Sequence, residues 1–330
     1  MYSISKKGAR IIINDLTDFD LDQILDCGQC FRWKREDDTD KPTWYGVVDG
    51  SFARISTEKQ KNDSDEFTSI TIESYDKDES FWIKYLDLDR DYASIKNQLT
   101  NGDPVMTNAV REGEGIRILR QDVWETLISF IISQNSNIPR IRSCIESLCR
   151  EFGKEIGEYK GEKMYSFPDL KTLASLKEDD LRVCRLGYRT KYIAEAARQI
   201  SRDDGAVLDV AASMSDKDAL KYLLGLSGIG PKVASCIMLF SMGKLNIFPI
   251  DVWVKRVMNR LYAINENDIS AMKNYAEQNF GRYGGIAQQY LFYYIRKIAD
   301  TKPELYKSLK INEDSVTQKS LSEKPEEFTP

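Results

Sequence analysis

The 330-residue sequence contains no histidine. It therefore lacks the side chain most often used as a general base or zinc ligand near neutral pH. Its six cysteines, Cys27, Cys30, Cys144, Cys149, Cys184 and Cys236, include one CxxC pair, and no second pair follows at zinc-like spacing. Four closely spaced cysteines of the kind that hold an iron–sulfur cluster are also missing. The thiols are read as reduced and mostly buried. No apolar run reaches the ~18 residues that a membrane span needs, and the opening MYSISKKGARIII lacks a secretory pattern. An intracellular protein with no membrane partner is expected.

An excess of positive charge is missing too: 47 basic residues face 52 acidic ones, for a net charge of −5. The deficit is local. Residues 34–91 hold 9 basic and 16 acidic residues and residues 310–330 hold 3 and 5, whereas residues 92–309 hold 31 and 26. Local charge governs attraction to phosphate, so the central stretch is permissive for a polyanionic partner.

What is present reads as two regions. Hydrophobic residues at 42% and charged residues at 30% give an ordinary globular balance. In the first hundred residues, the short β-branched and aromatic segments 10–13, 30–34, 44–48, 52–55 and 67–72 predict strands, with charged loops at 36–41 and 58–66. From about Asp103 the period becomes helical. Helices are expected over 122–133 with Asp122 as N-cap, 138–152 with Pro139 in the first turn, 190–202, 216–224, 231–242, 252–262 and 286–299. The polar tail from about residue 310 reads as disordered. The expected fold class is α+β, a β-rich domain over 1–102 followed by an all-helical domain over 103–309.

The most informative segment is Leu226-Ser227-Gly228-Ile229-Gly230-Pro231-Lys232, between two expected helices. Gly228 and Gly230 permit positive φ and close backbone approach. A tight turn before a helix N-terminus presents N–H groups suited to a phosphate. The segment fits a helix–hairpin–helix, and equally an ordinary αα-hairpin with a glycine turn. Asp251 follows 19 residues after Lys232, just before another helix; in isolation it would be a plain N-cap. Yet a lysine opening one helix and an aspartate opening the next can share a cleft. There the amine can attack a sugar carbon and the carboxylate can stabilise the cation formed as a base departs. The amine must be neutral, which partial desolvation near a helix N-terminus favours.

At these residues the chain resembles the helix–hairpin–helix glycosylase superfamily, and within it the 8-oxoguanine DNA glycosylase family. Four further segments carry the resemblance in the same order: Gly28-Gln29-Cys30-Phe31-Arg32-Trp33, residues 129–140 (SFIISQNSNIPR), Leu186-Gly187-Tyr188-Arg189, and Ala287-Gln288-Gln289-Tyr290-Leu291-Phe292. The likeness spans residues 10 to 298. It implies an N-terminal domain like one TATA-binding-protein repeat packed on a helical glycosylase domain. It also implies a bifunctional DNA glycosylase and lyase acting on damaged duplex DNA, as a monomer, in the nucleoid or cytoplasm of a prokaryote or the nucleus of a eukaryote.

Roles follow from the resemblance residue by residue. Lys232 matches the nucleophile and Asp251 its carboxylate partner. Cys236 and Phe292 match the two walls of a base pocket, Cys236 being also a candidate electrostatic partner of the lysine. Gly28 matches the carbonyl that accepts from N7–H of 8-oxoguanine, and Gln288 the amide that reads the Watson–Crick edge. Asn135, Arg140 and Arg189 match contacts to the cytosine left behind, and Tyr188 the wedge that fills the gap. Gly228 and Gly230 match the phosphate-holding hairpin. No cofactor is required. Backbone carbonyls of Leu224, Leu226 and Ile229 match a monovalent cation site. Two positions depart from the family: Trp253 stands where a histidine is usual, and Ile295 where an acid is usual. An oxidised-pyrimidine glycosylase of endonuclease III type shares the lysine and aspartate, but the absence of cysteines after Asp251 argues against it. A non-catalytic helix–hairpin–helix module needs neither residue.

Overall fold

The computed structural model describes residues 2–61, 66–74 and 76–308. The chain begins with β1 (Ser3–Lys7), β2 (Arg10–Leu16) and α1 (Leu21–Leu25), then β3 (Trp33–Arg35), β4 (Thr43–Val48), β5 (Ser51–Lys61) and β6 (Glu66–Ser74). These strands form one antiparallel sheet in the order β1-β2-β6-β5-β4-β3. Period-2 alternation supplies its buried face: Ile11 and Ile13 of β2, Ala53 and Ile55 of β5, and Ile70 and Ile72 of β6 point into one cluster. Trp82 and Tyr85 of α2 (Glu79–Tyr85) and Leu21, Ile24 and Leu25 of α1 close that cluster.

The strand expectations hold for β2, β4, β5 and β6 and need correction elsewhere. Cys30 and Phe31 are not in a strand; pairing begins at Trp33. β1 has no apolar alternation, since all five of its residues are exposed, and it exists because β2 offers an edge to pair with. β5 runs to Lys61, and β6 resumes at Glu66, so strand occupies part of the expected 58–66 loop; residues 62–65 lie outside the described residues. Helix also starts earlier than Asp103. α2 and α3 (Tyr92–Thr100) are capped by Asp78 and Asp91, which accept from Phe81 and Ser94 N–H, and the aromatic, β-favouring composition of α2 hides its helical period.

The helical region then runs through α4 (Pro104–Glu112), α5 (Val123–Ile132), α6 (Ile138–Phe152), a hairpin of β7 (Glu155–Tyr159) and β8 (Glu162–Tyr165), α7 (Leu170–Ser175), α8 (Arg189–Ile200), α9 (Ala206–Ser213), α10 (Asp216–Leu224), α11 (Pro231–Phe240), α12 (Val252–Tyr262), α13 (Ile269–Phe280), α14 (Gly284–Thr301) and α15 (Pro303–Ser308). The mixed architecture is the α+β arrangement expected, but the second region is not all-helical, because β7 and β8 pair as an antiparallel hairpin within it. The tail expected to be disordered lies outside the described residues. No helix among the described residues is long and apolar enough to cross a membrane.

The two cores exchange segments. Cys27 and Phe31 leave the sheet region to pack in the helical core, while Leu119 returns to the sheet core. The loop between α1 and β3 is therefore held by both. Its anchor is Gln29, fully buried, whose amide donates to the carbonyls of Ile24 (2.9 Å) and Arg117 (2.8 Å) and accepts from Leu119 N–H (2.9 Å).

Candidate active site

Two helix starts, the middle of a third helix and one loop converge on a cavity of about 370 Å³. Lys232 opens α11, where Pro231 supplies the preset φ of a first turn. Asp251 caps α12, its Oδ1 accepting from Val254 N–H at 2.8 Å. Gln288 and Phe292 come from α14, and Gly28 from the loop pinned by Gln29. All five line the cavity together with Cys236 and Trp253. The expected pocket set is thus brought together in full.

The cavity is electrostatically poised. Lys232 Nζ lies 3.4 Å from Ser133 Oγ and 5.2 Å from the centroid of the Phe130 ring. Phe130 is itself wedged between Phe31 (5.6 Å, edge-on) and Phe240 (5.5 Å, stacked), so the amine rests on a fixed aromatic platform. Burial pushes the Asp251 carboxyl up from its ordinary range, opposed by the Val254 N–H bond and the charge of Lys232. Burial likewise pushes the Cys236 thiol up to about 11 despite the nearby lysine. The charge of Lys232 and a side-chain hydrogen bond with it both pull the thiol back down, so the two groups interact electrostatically.

The other lining groups are held in place by the fold. Gln288 is 4% exposed, and its Oε1 has no partner among the described residues. A buried amide oxygen left unpaired is costly unless a ligand completes it. Next to it, Gln289 Nε2 donates to the Cys27 carbonyl at 2.6 Å, tying α14 to the loop that presents Gly28. Gly28 has φ +80°, a backbone state that side-chain-bearing residues rarely adopt. Trp253 is braced by Arg256, 4.8 Å from its ring, and by Tyr306, 6.2 Å away. Ile295 is fully buried in the helical core.

Outside the cavity, Asn135, Tyr188 and Arg189 meet. Asn135 takes positive φ (46°), which asparagine tolerates, and its Nδ2 donates to Tyr188 Oη at 3.1 Å. Tyr188 stands half exposed at the start of α8. Arg189 lies buried behind it. Its guanidinium donates to the carbonyls of Gln134 (2.9 Å from Nε), Asn135 (3.2 Å) and Leu186 (3.2 Å) and lies over the Tyr188 ring. Arg140 is exposed and lines a separate groove with Arg150 and Arg185.

The hairpin between α10 and α11 corrects one expectation. Gly228 has φ +75°, and a Cβ there would lie 2.5 Å from Tyr192 Cβ. Gly230 is extended (φ −92°, ψ 176°) with open space around it, so conformation does not demand glycine there. Gly228 O accepts from Gln134 Nε2 at 3.0 Å, joining the hairpin to the Asn135 junction. Leu226 O accepts from Ile229 N–H at 3.3 Å, so one lone pair of a candidate cation ligand is already engaged. Sequence reasoning gave no role to Ser133, Gln29, Gln289 or Arg296. The first three lie inside the segments quoted above, but nothing in those segments tells which polar side chains turn inward.

Comparisons with known proteins agree with this geometry. The family model described as 8-oxoguanine DNA glycosylase, N-terminal domain, matches residues 11–127, and that of the HhH-GPD superfamily base excision DNA repair protein matches residues 128–281. The chain is 32% identical over 301 residues to an N-glycosylase/DNA lyase of Saccharomyces cerevisiae, covering 86% of this chain and 77% of the yeast protein. An N-glycosylase/DNA lyase of Arabidopsis thaliana is 28% identical, covering 84% and 77%. Among solved structures, the 8-oxoguanine glycosylase/lyase of Clostridium acetobutylicum, in complex with double-stranded DNA containing cytosine opposite 8-oxoguanine, superposes with a TM-score of 0.79 at 38% identity, covering 89% of this chain and 98% of that one.

Proposed function

The chain belongs to the 8-oxoguanine DNA glycosylase family, and with that as the premise we propose how its residues divide the work of a bifunctional DNA glycosylase and AP lyase that excises 8-oxoguanine from duplex DNA in base excision repair. The observation that carries the proposal is that Lys232 and Asp251 line the same cavity as Gly28, Cys236, Gln288 and Phe292.

The lesion base is flipped into the cavity and stacks between Cys236 and Phe292. Gly28 O accepts from N7–H, a contact that ordinary guanine answers with a second acceptor and so forfeits. The unpaired Gln288 Oε1 accepts from the Watson–Crick edge. Lys232, having given up a proton, attacks C1′. The C1′–N9 bond breaks with its electron pair leaving on the base, which takes up a proton. The C1′–O4′ bond then breaks as a proton passes from the nitrogen to O4′, which leaves a protonated imine at C1′ and a hydroxyl at C4′. Loss of a C2′ proton then expels the 3′ phosphate by β-elimination. Asp251, held as a carboxylate beside C1′, stabilises the positive charge that develops there.

Tyr188 fills the gap left by the base, offsetting part of the few kcal/mol that flipping costs. Asn135, Arg140 and Arg189 read the opposite base and favour cytosine, whose O2 and N3 both accept. Gly228 and Gly230 present N–H groups to a phosphate, and the open space at Gly230 suits that approach. Neutral carbonyls of Leu224, Leu226 and Ile229 suit a monovalent cation, which needs oxygen ligands without a full negative charge. The protein works as a monomer.

Borohydride trapping tests the reading. Wild type should form a covalent adduct with an 8-oxoguanine duplex. Lys232→Gln should lose both the adduct and base release yet bind DNA normally. An adduct that persists in Lys232→Gln would remove Lys232 from its role.

A further inference from the structure

One stripe of α14 runs the length of the cavity. Gln288, Phe292, Arg296 and Asp300 recur every four residues and all four line it. Their burial falls along the stripe, from the buried Gln288 through the half-buried Phe292 and Arg296 to the exposed Asp300. Gln288 therefore marks the floor and Arg296 the rim, roughly 12 Å apart at 1.5 Å per residue. On the reading above, the floor holds the base edge and the next turn holds the base plane. The turn after that lies at the level of the sugar and its phosphates.

Arg296 is equipped for that level. Among the described residues its guanidinium has no ion pair and no hydrogen-bond acceptor, and it lies over the Phe292 ring, with Cζ 5.3 Å from the centroid. Five donors in a rigid fork match a phosphate. Lys232 is the other cation in the cavity lining, and it must become neutral to react, so Arg296 is the one that keeps its charge through the reaction. Its field also reaches the Asp251 carboxyl and favours the ionised form. Asp300, a turn further out, is exposed, and water screens it.

We propose that Arg296 is a substrate-positioning residue that binds a backbone phosphate of the flipped nucleotide, so that α14 reads base edge, base plane and phosphate with three successive turns. The proposal rests on the glycosylase reading, and its test separates the two.

Arg296→Leu and Arg296→Lys would be titrated, in the full chain, against three duplexes across a range of salt: one with 8-oxoguanine, one with a tetrahydrofuran abasic analogue and one undamaged. Arg296→Leu should lose roughly ten- to a hundredfold in affinity for both the lesion and the abasic duplex. Its log-affinity against log-salt slope should shrink by about one. Undamaged duplex should bind almost as before, which also reports an intact fold. Arg296→Lys should restore the slope. Loss confined to the 8-oxoguanine duplex would mean that Arg296 serves the base through Phe292, and would overturn the phosphate assignment. Equal loss on all three duplexes, or none, would overturn it too. Borohydride trapping of the wild type runs alongside: no adduct counts against the enzymatic reading, whereas a trapped wild type with unchanged Arg296→Leu affinity counts against Arg296 alone.

Discussion

Gly28 and Phe292 meet backbone to ring edge: a Cβ on residue 28 would lie 3.3 Å from Phe292 Cε1 and 3.5 Å from Cζ. The loop before β3 and the middle of α14 thus set the width of the cavity between them, with Gly28 at φ +80°. Gly28→Ala should meet both constraints. Positive φ costs an alanine about 1–2 kcal/mol, and the added methyl presses on the stacking ring. Global stability should fall by about that amount, while 8-oxoguanine excision falls far more than binding to undamaged duplex. Melting curves and single-turnover rates would check this; an unchanged excision rate would mean the width is set elsewhere.

On the proposed mechanism Asp251 does two jobs that one substitution separates. Asparagine also caps, so Asp251→Asn should retain the Val254 N–H bond and the fold. Burial raises the carboxyl, so the ionised form is disfavoured in the folded chain and the charge opposes folding above the unfolded pKa. The variant should therefore be as stable as wild type at neutral pH, or more so. Excision should slow on the order of hundreds-fold with the electrostatic contact gone. In wild type the rate should fall on acidification at a pH above the ordinary aspartate range, and this acid limb should vanish in Asp251→Asn. A wild-type-like rate in the variant would leave Asp251 as a cap only.

Arg140 and Arg189 should part company under mutation. Arg140 is exposed, whereas Arg189 holds the Gln134, Asn135 and Leu186 carbonyls in the free protein. Arg140→Met should flatten the preference for cytosine opposite the lesion with little change in melting temperature. Arg189→Met should flatten it as well and destabilise the chain by about 1–3 kcal/mol, because buried carbonyls lose their donor. Excision rates against all four opposite bases, together with melting curves, would test the pair. Equal wild-type rates for all four bases would assign both arginines to phosphate.

Glu125 gives a pH signature in the scaffold. Burial raises its carboxyl from 4.5 to about 7, against the opposing charge of Arg32, whose Nη1 is 3.9 Å away. A raised acid binds its proton more tightly folded than unfolded. Its favourable contribution is therefore complete below about pH 4.5 and lost as pH rises toward about 7. Glu125→Gln should remove that part of the decline in stability. Denaturant midpoints at several pH values would show it; parallel curves for variant and wild type would refute the assignment.

Some of this molecule is legible along the chain because its causes are local. α6, α10 and α12 begin and end where the period predicts, and Asn137, Ser215 and Asp251 cap them by accepting from N–H groups three residues on. The strands with an alternating apolar face were equally readable, as were Lys232, Asp251, Gly28 and Gln288 within their motifs. The family follows from five such motifs in order, with no structure required.

What the tertiary structure alone decided is non-local. β1 has no pattern of its own and exists by pairing. α2 and α3 are helical because they cover a sheet and a core that their own composition does not announce. The raised thiol of Cys236, the hold of Arg189 on carbonyls and the placing of the Arg296 guanidinium over Phe292 all depend on which neighbours packing supplies. Periodicity states which face of a helix turns inward. Only the fold states what waits there, because burial and pairing, which set charge and hydrogen bonding, are properties of the assembled core.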